Sequence, residues 1–256
     1  VFKSELIRQI YADGSSFEQS LHYQEHACEM GVAYLLLCEK NQWVIDEEVS
    51  ARVKAMLTFQ ATINGQDDKY LAIGDTTEDP LFPLDGGNGW CVSGMKAMYL
   101  RMVEGSRSKL DHQALSIERF FWMNGGHLPI KDTVDKSKNG NLAVFPDGGF
   151  AVFSDRENKD QLIFRTGSPG NLDLVPGHMH SDYLSCFLQI NGQPIFVPSG
   201  TYTYRGNPIS WSLPYPRWRD YFMSPRAANG LVISDLDPLK RSGGDFPGGI
   251  TGTIAS

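Results

Sequence analysis

The sequence predicts an α+β fold, helices first and antiparallel strands after. Three observations carry this. Apolar residues recur at helical spacing through the first sixty or so residues. From about Ile130 the pattern shortens to two-residue alternation. Asp-Gly-Gly and Asn-Gly, both hairpin turn signals, interrupt the alternating runs. Helices followed by strands argue for two domains or an α+β chain, and against a parallel βαβ sheet.

The elements follow in order. "DGSSFEQSLHYQEHACEMGVAYLLLCEK" opens with N-cap chemistry from Asp13 to Ser16 and puts Glu18 in a first helical turn. Phe17, Leu21, Cys28, Val32 and Leu35 then form an apolar stripe. "DEEVSARVKAMLTFQATI" reads as a second helix with Val49, Val53, Met56 and Leu57 on one side. A Gly/Asp/Pro-rich connection, "IGDTTEDPLFPLDGGNGW", leads to two more helical stretches, "WCVSGMKAMYLRMVEG" and "DHQALSIERFFWMN". "LAVFPDGGFAVFSD" predicts a hairpin turning at Asp147-Gly148-Gly149, "DQLIFRTG" a strand, and "YLSCFLQINGQPIFVPSG" a hairpin turning at Asn191-Gly192. "NGLVISDLD" adds a strand, after a Pro- and Trp-rich loop, "NPISWSLPYPRWRDYF".

Composition narrows the function. The 256 residues suffice for one large or two modest domains. A net charge of -7 argues against nucleic acid, while a local Arg/His cluster can still bind an anionic substrate. No apolar run reaches the roughly 18 residues of a membrane span. Cys28, Cys38, Cys91 and Cys186 are scattered without a CxxC and read as core thiols. The chain opens on Val with no signal-like segment, as an excised or processed piece would.

Two groups of residues carry chemistry. Gln19, Tyr23 and His26, at i, i+4 and i+7, share a polar helix face. That face is either plain solvated surface or a tyrosine with polar neighbours, able to act as general acid or base. Tyrosine has an ordinary pKa of about 10, and each tenfold gain in acidity requires about 1.4 kcal/mol, so a nearby cation or strong donor is needed. His178, His180 and Asp182 alternate, which on a strand directs all three to one side. They fit a metal site, an acid/base site or a polar strand edge. Two histidines normally need a third protein ligand to hold a metal, and Asp182 is either that ligand or a carboxylate holding an imidazole tautomer.

In combination, "ADGSSFEQSLHY", "IGDTTED", "FPDGGFAVF", "GHMHSDYLSCFLQINGQPIFVPSGTYTY" and "RWRDYFMSPRAANGLVI" resemble the heparinase II/III-like polysaccharide lyases and their alginate-lyase relatives. The resemblance implies terminal helices of an incomplete (α/α) toroid over residues 1–125 and a large antiparallel β-sandwich, incomplete, over 126–256. It implies a catalytic Tyr23, a substrate-contacting His178, and an assisting tyrosine, Tyr215, with Tyr202 and Tyr204 behind it. Gln19, Glu18, His26, Arg219, Tyr202 and Tyr204 are the substrate-binding candidates. His180 corresponds to a zinc ligand of zinc-containing members. Those members read "VDPGTY" where this chain reads "VPSGTY", and "AHN" where it reads "AAN". Pro198 and Ala228 thus stand at the two other ligand positions, so no cofactor is expected. Gln24 follows Tyr23 where many relatives carry histidine. The carboxylate-neutralising Asn of the family is expected some tens of residues before Val1, and the chain is expected to be the central-to-C-terminal part of a longer protein.

The implied activity is β-elimination on an acidic, uronate-containing polysaccharide, in the periplasm or outside the cell. The rival is a non-catalytic glycan-binding or exopolysaccharide/O-antigen assembly protein. A glycoside hydrolase is a distant third, since no carboxylate pair stands out. The opening helices are expected to dock on the sandwich or to pair with a second copy of the chain as a homo-oligomer.

Overall fold

The structure, a computed structural model, describes residues 1–65, 71–77, 98–99, 102–103, 141–155, 157–167, 177–204 and 217–232. It is a mixed α+β fold. Three N-terminal helices, α1 (Phe2–Gln9), α2 (Leu21–Asn41) and α3 (Glu47–Ile63), precede one five-stranded antiparallel sheet. The strands are β1 (Asn141–Phe145), β2 (Phe150–Asp155), β3 (Asp160–Arg165), β4 (Cys186–Ile190) and β5 (Gln193–Phe196), paired in sequence order. A short helix, α4 (Trp218–Phe222), and a 3-10 turn over Pro225–Ala227 follow.

Helix α2 begins later than its sequence suggests. Asp13 to Ser16 do not cap it. Instead the Asp13 carboxylate accepts from the amides of Ser15, Asp147 and Gly148, which ties this loop to the β1–β2 turn. Gln19 then takes a left-handed φ of 54°, outside helical space. The cap is Ser20, whose Oγ accepts from the Tyr23 amide at 3.3 Å. The Leu21 amide donates to the Ile73 carbonyl at 3.0 Å, which satisfies another open N–H of the first turn. Phe17 and Gln19 therefore precede the helix, while Leu21, Cys28, Val32 and Leu35 are buried along it as expected. In α3, Asp46 caps the amides of Glu48 and Val49, and Val49, Val53, Met56 and Leu57 are buried.

The hairpin turns fall where the sequence places them. Asn191 and Gly192 carry positive φ of 50° and 74°, the handedness a two-residue hairpin requires. The strand expected over "NGLVISDLD" is not formed across residues 229–232, and its remainder lies outside the described residues. So do "DHQALSIERFFWMN" and most of "WCVSGMKAMYLRMVEG". In the latter, Met98, Tyr99 and Met102 are helical and cover the first core.

Two cores result. One is purely helical and joins α1, α2 and α3 through Ile10, Val32, Val53, Met56 and Leu57. The other joins helices to sheet. Leu21, Phe59, Ile63 and Ile73 meet Phe145, Phe150, Val152, Ile163 and Phe187 from the inner face of β1–β4. The opening helices thus dock on the single sheet. The opposite sheet face carries Leu142, Phe153, Leu162, Leu188 and Phe196 in one cross-strand row. All but Leu188 are substantially exposed.

Candidate active site

The segment carrying His178 and His180 is not a strand. Residues 177–182 run as turn and irregular chain, so the expected alternation fails. The physical reason is the number of polar partners they meet in three directions. The Asp75 amide donates to the His178 carbonyl at 2.8 Å, and the Ser181 amide donates to the Met223 carbonyl at 2.9 Å. Asp182 points elsewhere, into an ion pair with Arg165 of β3, with both residues buried. Burial pushes the Arg165 guanidinium down to about 10, so it remains cationic at neutral pH. Its Nη2 also donates to Gln19 Oε1 at 3.3 Å.

The two histidines share a partner that sequence reading did not single out. Asp75, in the "IGDTTED" segment, is fully buried. His180 Nε2 lies 2.9 Å from its Oδ1 and His178 Nδ1 lies 3.4 Å from its Oδ2. Arg219 of α4 donates to both oxygens, at 3.1 and 2.6 Å. Burial alone would raise the Asp75 carboxyl. The hydrogen bonds from His178, His180 and Arg219 outweigh it and hold the group well below the ordinary carboxylate range. Gly74 makes the approach possible. At φ +72° its absent Cβ would sit 2.8 Å from Ser20 Cα and 2.9 Å from the carbonyl oxygens of Gln19 and His178.

Tyr23 stands over this hub from the first turn of α2. Its ring stacks on His178 at 3.6 Å between centroids and 16° between planes. Its hydroxyl lies 3.1 Å from that of Tyr204. Tyr204 in turn lies beneath the Arg219 guanidinium, 4.7 Å from ring centre to Cζ. Burial, the Asp75 charge and the Tyr23 contact push the Tyr204 hydroxyl above its usual value. It therefore keeps its proton, and either hydroxyl can donate to the other across this contact. Glu18 Oε2 lies 3.8 Å from His178 Nε2, and burial raises its carboxyl against the opposing pull of His178 and His26.

Of the residues anticipated from sequence, the structure brings Tyr23, His178, Tyr204, Glu18 and Arg219 together. His26 borders them, its ring 5.7 Å from that of Tyr23. Gln19 is buried, with its amide held by the Ser16 carbonyl and Arg165. Tyr202 stacks on Phe222 at 4.9 Å, on the flank of α4. Tyr215 lies outside the described residues. Arg219 turns its charge to Asp75 and lies over the Tyr204 ring. Only one of the signals for Asp75 was present in sequence, its place within a segment shared with the lyase pattern.

The zinc that the resemblance implies does not fit these side chains. His180 directs Nε2 at Asp75, which a guanidinium already neutralises, and Pro198 and Ala228 offer no donor atoms. Among the described residues no group of three or more His, Cys, Asp or Glu side chains is placed to hold a metal.

The comparisons with known proteins bear on the family and the fold. The heparinase II/III-like C-terminal family profile matches residues 113–249, more than half of the chain. The chain belongs to the heparinase II/III-like family. Its fold is similar to that of heparan sulfate lyase HepC from Pedobacter heparinus, at 17% identity and a TM-score of 0.61, over 95% of this chain and 34% of that one. A solved heparinase III aligns at 19% identity and a TM-score of 0.60, over 95% of this chain and 36% of that one. A second heparinase III gene product aligns at 17% and 0.61, over 93% and 33%. The chain thus spans about a third of the length of these solved structures. No curated protein matches it. No helix among the described residues is long and apolar enough to cross a membrane.

Proposed function

We propose that the chain is the cleft-forming part of a polysaccharide lyase that cleaves an acidic, uronate-containing glycan by β-elimination. One observation carries this reading: the Tyr23 hydroxyl lies 3.1 Å from a tyrosine that holds its proton, while its ring is stacked on His178. For a tyrosine to remove a C5 proton it must first be a phenolate, and the Tyr204 hydroxyl is then within reach to donate to its oxygen. In this mechanism Tyr23 Oη takes the C5 proton and that electron pair forms the C4–C5 double bond. The C4–O4 bond breaks toward the leaving sugar, and its oxygen recovers a proton from the phenol. His178 lies beside the developing charge. Arg219 acts through Asp75 and Tyr204, since its own charge is committed. Tyr215, Glu18, His26 and Tyr202 are the further substrate contacts of this reading, while Gln19 is buried against Arg165.

The same reading takes residues 1–125 as the last helices and connection of an (α/α) toroid, and 126–256 as part of a β-sandwich. The exposed row from Leu142 to Phe196 supports it, because an apolar sheet face normally lies against another layer. The same reading has the protein act in the periplasm or outside the cell. The binding-protein reading draws on a different observation, the loss of the ligand positions of the lyase pattern at Pro198 and Ala228.

The test is absorbance of the unsaturated uronate product, measured on the protein at its full encoded length with a panel of acidic glycans. Wild-type protein should produce it, and Tyr23→Phe should abolish it while keeping the fold. Wild-type turnover by Tyr23→Phe would sink the mechanism. Glycan binding without any product would select the binding reading.

A further inference from the structure

Asp75 has four lone-pair positions on its two carboxylate oxygens, and all four are met. Oδ1 receives His180 Nε2 and Arg219 Nη1, while Oδ2 receives His178 Nδ1 and Arg219 Nη2. An ionised carboxylate only accepts, so each ring nitrogen facing it must carry a proton. We propose that Asp75 is a positioning residue that fixes the two histidines in opposite tautomers, His178 protonated on Nδ1 and His180 protonated on Nε2.

The consequence differs for the two rings. In neutral His178 the lone pair is on Nε2, on the side of the ring where Glu18 Oε2 stands 3.8 Å away. His178 is the partly exposed one, with a quarter of its side chain accessible, and its face is covered by Tyr23. A lone pair at Nε2 is thus available to accept a proton or hydrogen bond beside the Tyr23 phenol. In buried His180 the Nε2 proton is spent on Asp75, so that nitrogen is a donor and not a metal ligand. Asp75 cannot rotate to release either ring. Its backbone amide bonds the His178 carbonyl, its carbonyl accepts from Ser20 Oγ at 2.7 Å, and Arg219 clamps the carboxylate. The backbone bond and the side-chain bond to His178 come from one residue, so loop and ring are set together. The use of the Nε2 lone pair during elimination rests on the lyase reading; the tautomers do not.

The experiment is long-range proton–nitrogen correlation NMR on protein labelled with nitrogen-15 in histidine, at about pH 8 so that ordinary imidazoles are neutral. His178→Gln and His180→Gln spectra assign the two rings. For His178 the Nδ1 signal should fall in the protonated range and Nε2 in the unprotonated range, with the reverse for His180. A His178 ring protonated on Nε2, alone or together with Nδ1, overturns the proposal, and this needs no variant of Asp75. In Asp75→Asn the amide presents a donor as well as an acceptor, so at least one ring should change tautomer. A folded Asp75→Asn protein with both tautomers unchanged also overturns it. Where the full-length protein turns over a glycan, Asp75→Asn should lower kcat about 10–100-fold with little change in KM, as loss of an orienting partner does. Unchanged kcat would remove Asp75 from the reaction. Absence of any turnover in the wild type would remove the lyase reading and leave the tautomers standing on the spectra.

Discussion

Asp75 draws its partners from places far apart in the chain: two histidines about a hundred residues on and an arginine 144 residues away. Such a convergence leaves no local trace. Tyr23 and His178 were legible because they sit in dense motifs with fixed spacing. Asp75 lies in a Gly/Asp-rich stretch that reads as connection, and only the fold shows that it is buried. Its energetics give a prediction with a definite sign. The folded carboxyl titrates below its unfolded value of about 3.9. The stability it contributes is fully present above that value and is lost as pH falls through the range below it. Asp75→Asn leaves Arg219 buried without its counter-ion, a loss of about 3–5 kcal/mol at neutral pH. Urea unfolding should therefore show a wide gap between wild type and variant at pH 7. The gap should narrow steadily below about pH 4, as the unfolded chain's Asp75 takes up a proton that the folded carboxyl still refuses. A gap that is constant down to acid unfolding would mean that the Asp75 charge adds nothing to stability.

At the scale of elements, periodicity identified the buried stripes of α2 and α3, and the Gly-containing turns identified the hairpins. The start of α2 was the harder case. Asp13, Ser15, Ser16 and Ser20 are all good capping residues, and only contact with the β1–β2 turn decides among them. The alternating His178, His180 and Asp182 misled for a related reason. Two-residue spacing marks a strand only when ladder partners exist, and here the chain's polar groups are claimed by Asp75, Met223 and Arg165. The junction of α2 with the 73–75 segment should be the most sensitive point of the site. Gly74→Ala forces a left-handed alanine and drives a Cβ within 3 Å of three backbone atoms. Ser20→Ala removes a cap and a bond to the Asp75 carbonyl. We expect Ser20→Ala to cost about 1 kcal/mol. Gly74→Ala should cost clearly more, because backbone must move. Thermal unfolding of the two variants checks the order, and a Gly74→Ala protein as stable as Ser20→Ala would show that the segment can retreat from α2.

Among the described residues, helices and sheet share one apolar volume in the second core. The first core holds α1, α2 and α3 to one another, and the sheet's hydrogen bonds hold the strands. The second core couples the two units and, through them, the Tyr23 side of the site to the His178 side. Phe59 is its centre. It is 1% exposed, projects from α3, and meets Phe145 and Phe150 edge-on at 4.9 and 5.4 Å. Truncating a buried phenylalanine to alanine costs about 3–5 kcal/mol, against a net stability of about 5–15 kcal/mol for a domain. Phe59→Ala should therefore remove a large share of the folding free energy. Leu57→Ala, two residues away but facing the helical core, should cost about 2–5 kcal/mol. The two variants differ in where the loss is felt. Hydrogen exchange should speed up in both α3 and β2 in Phe59→Ala, since the ring touches both. In Leu57→Ala it should speed up first in α1, α2 and α3. If Phe59→Ala loosened the helices while β2 kept wild-type protection, the sheet would be stable without them, and the site would then depend on polar contacts, the Asp75 hub, the Asp13 tie to the β1–β2 turn and the Arg165–Gln19 bond, to hold its two halves together.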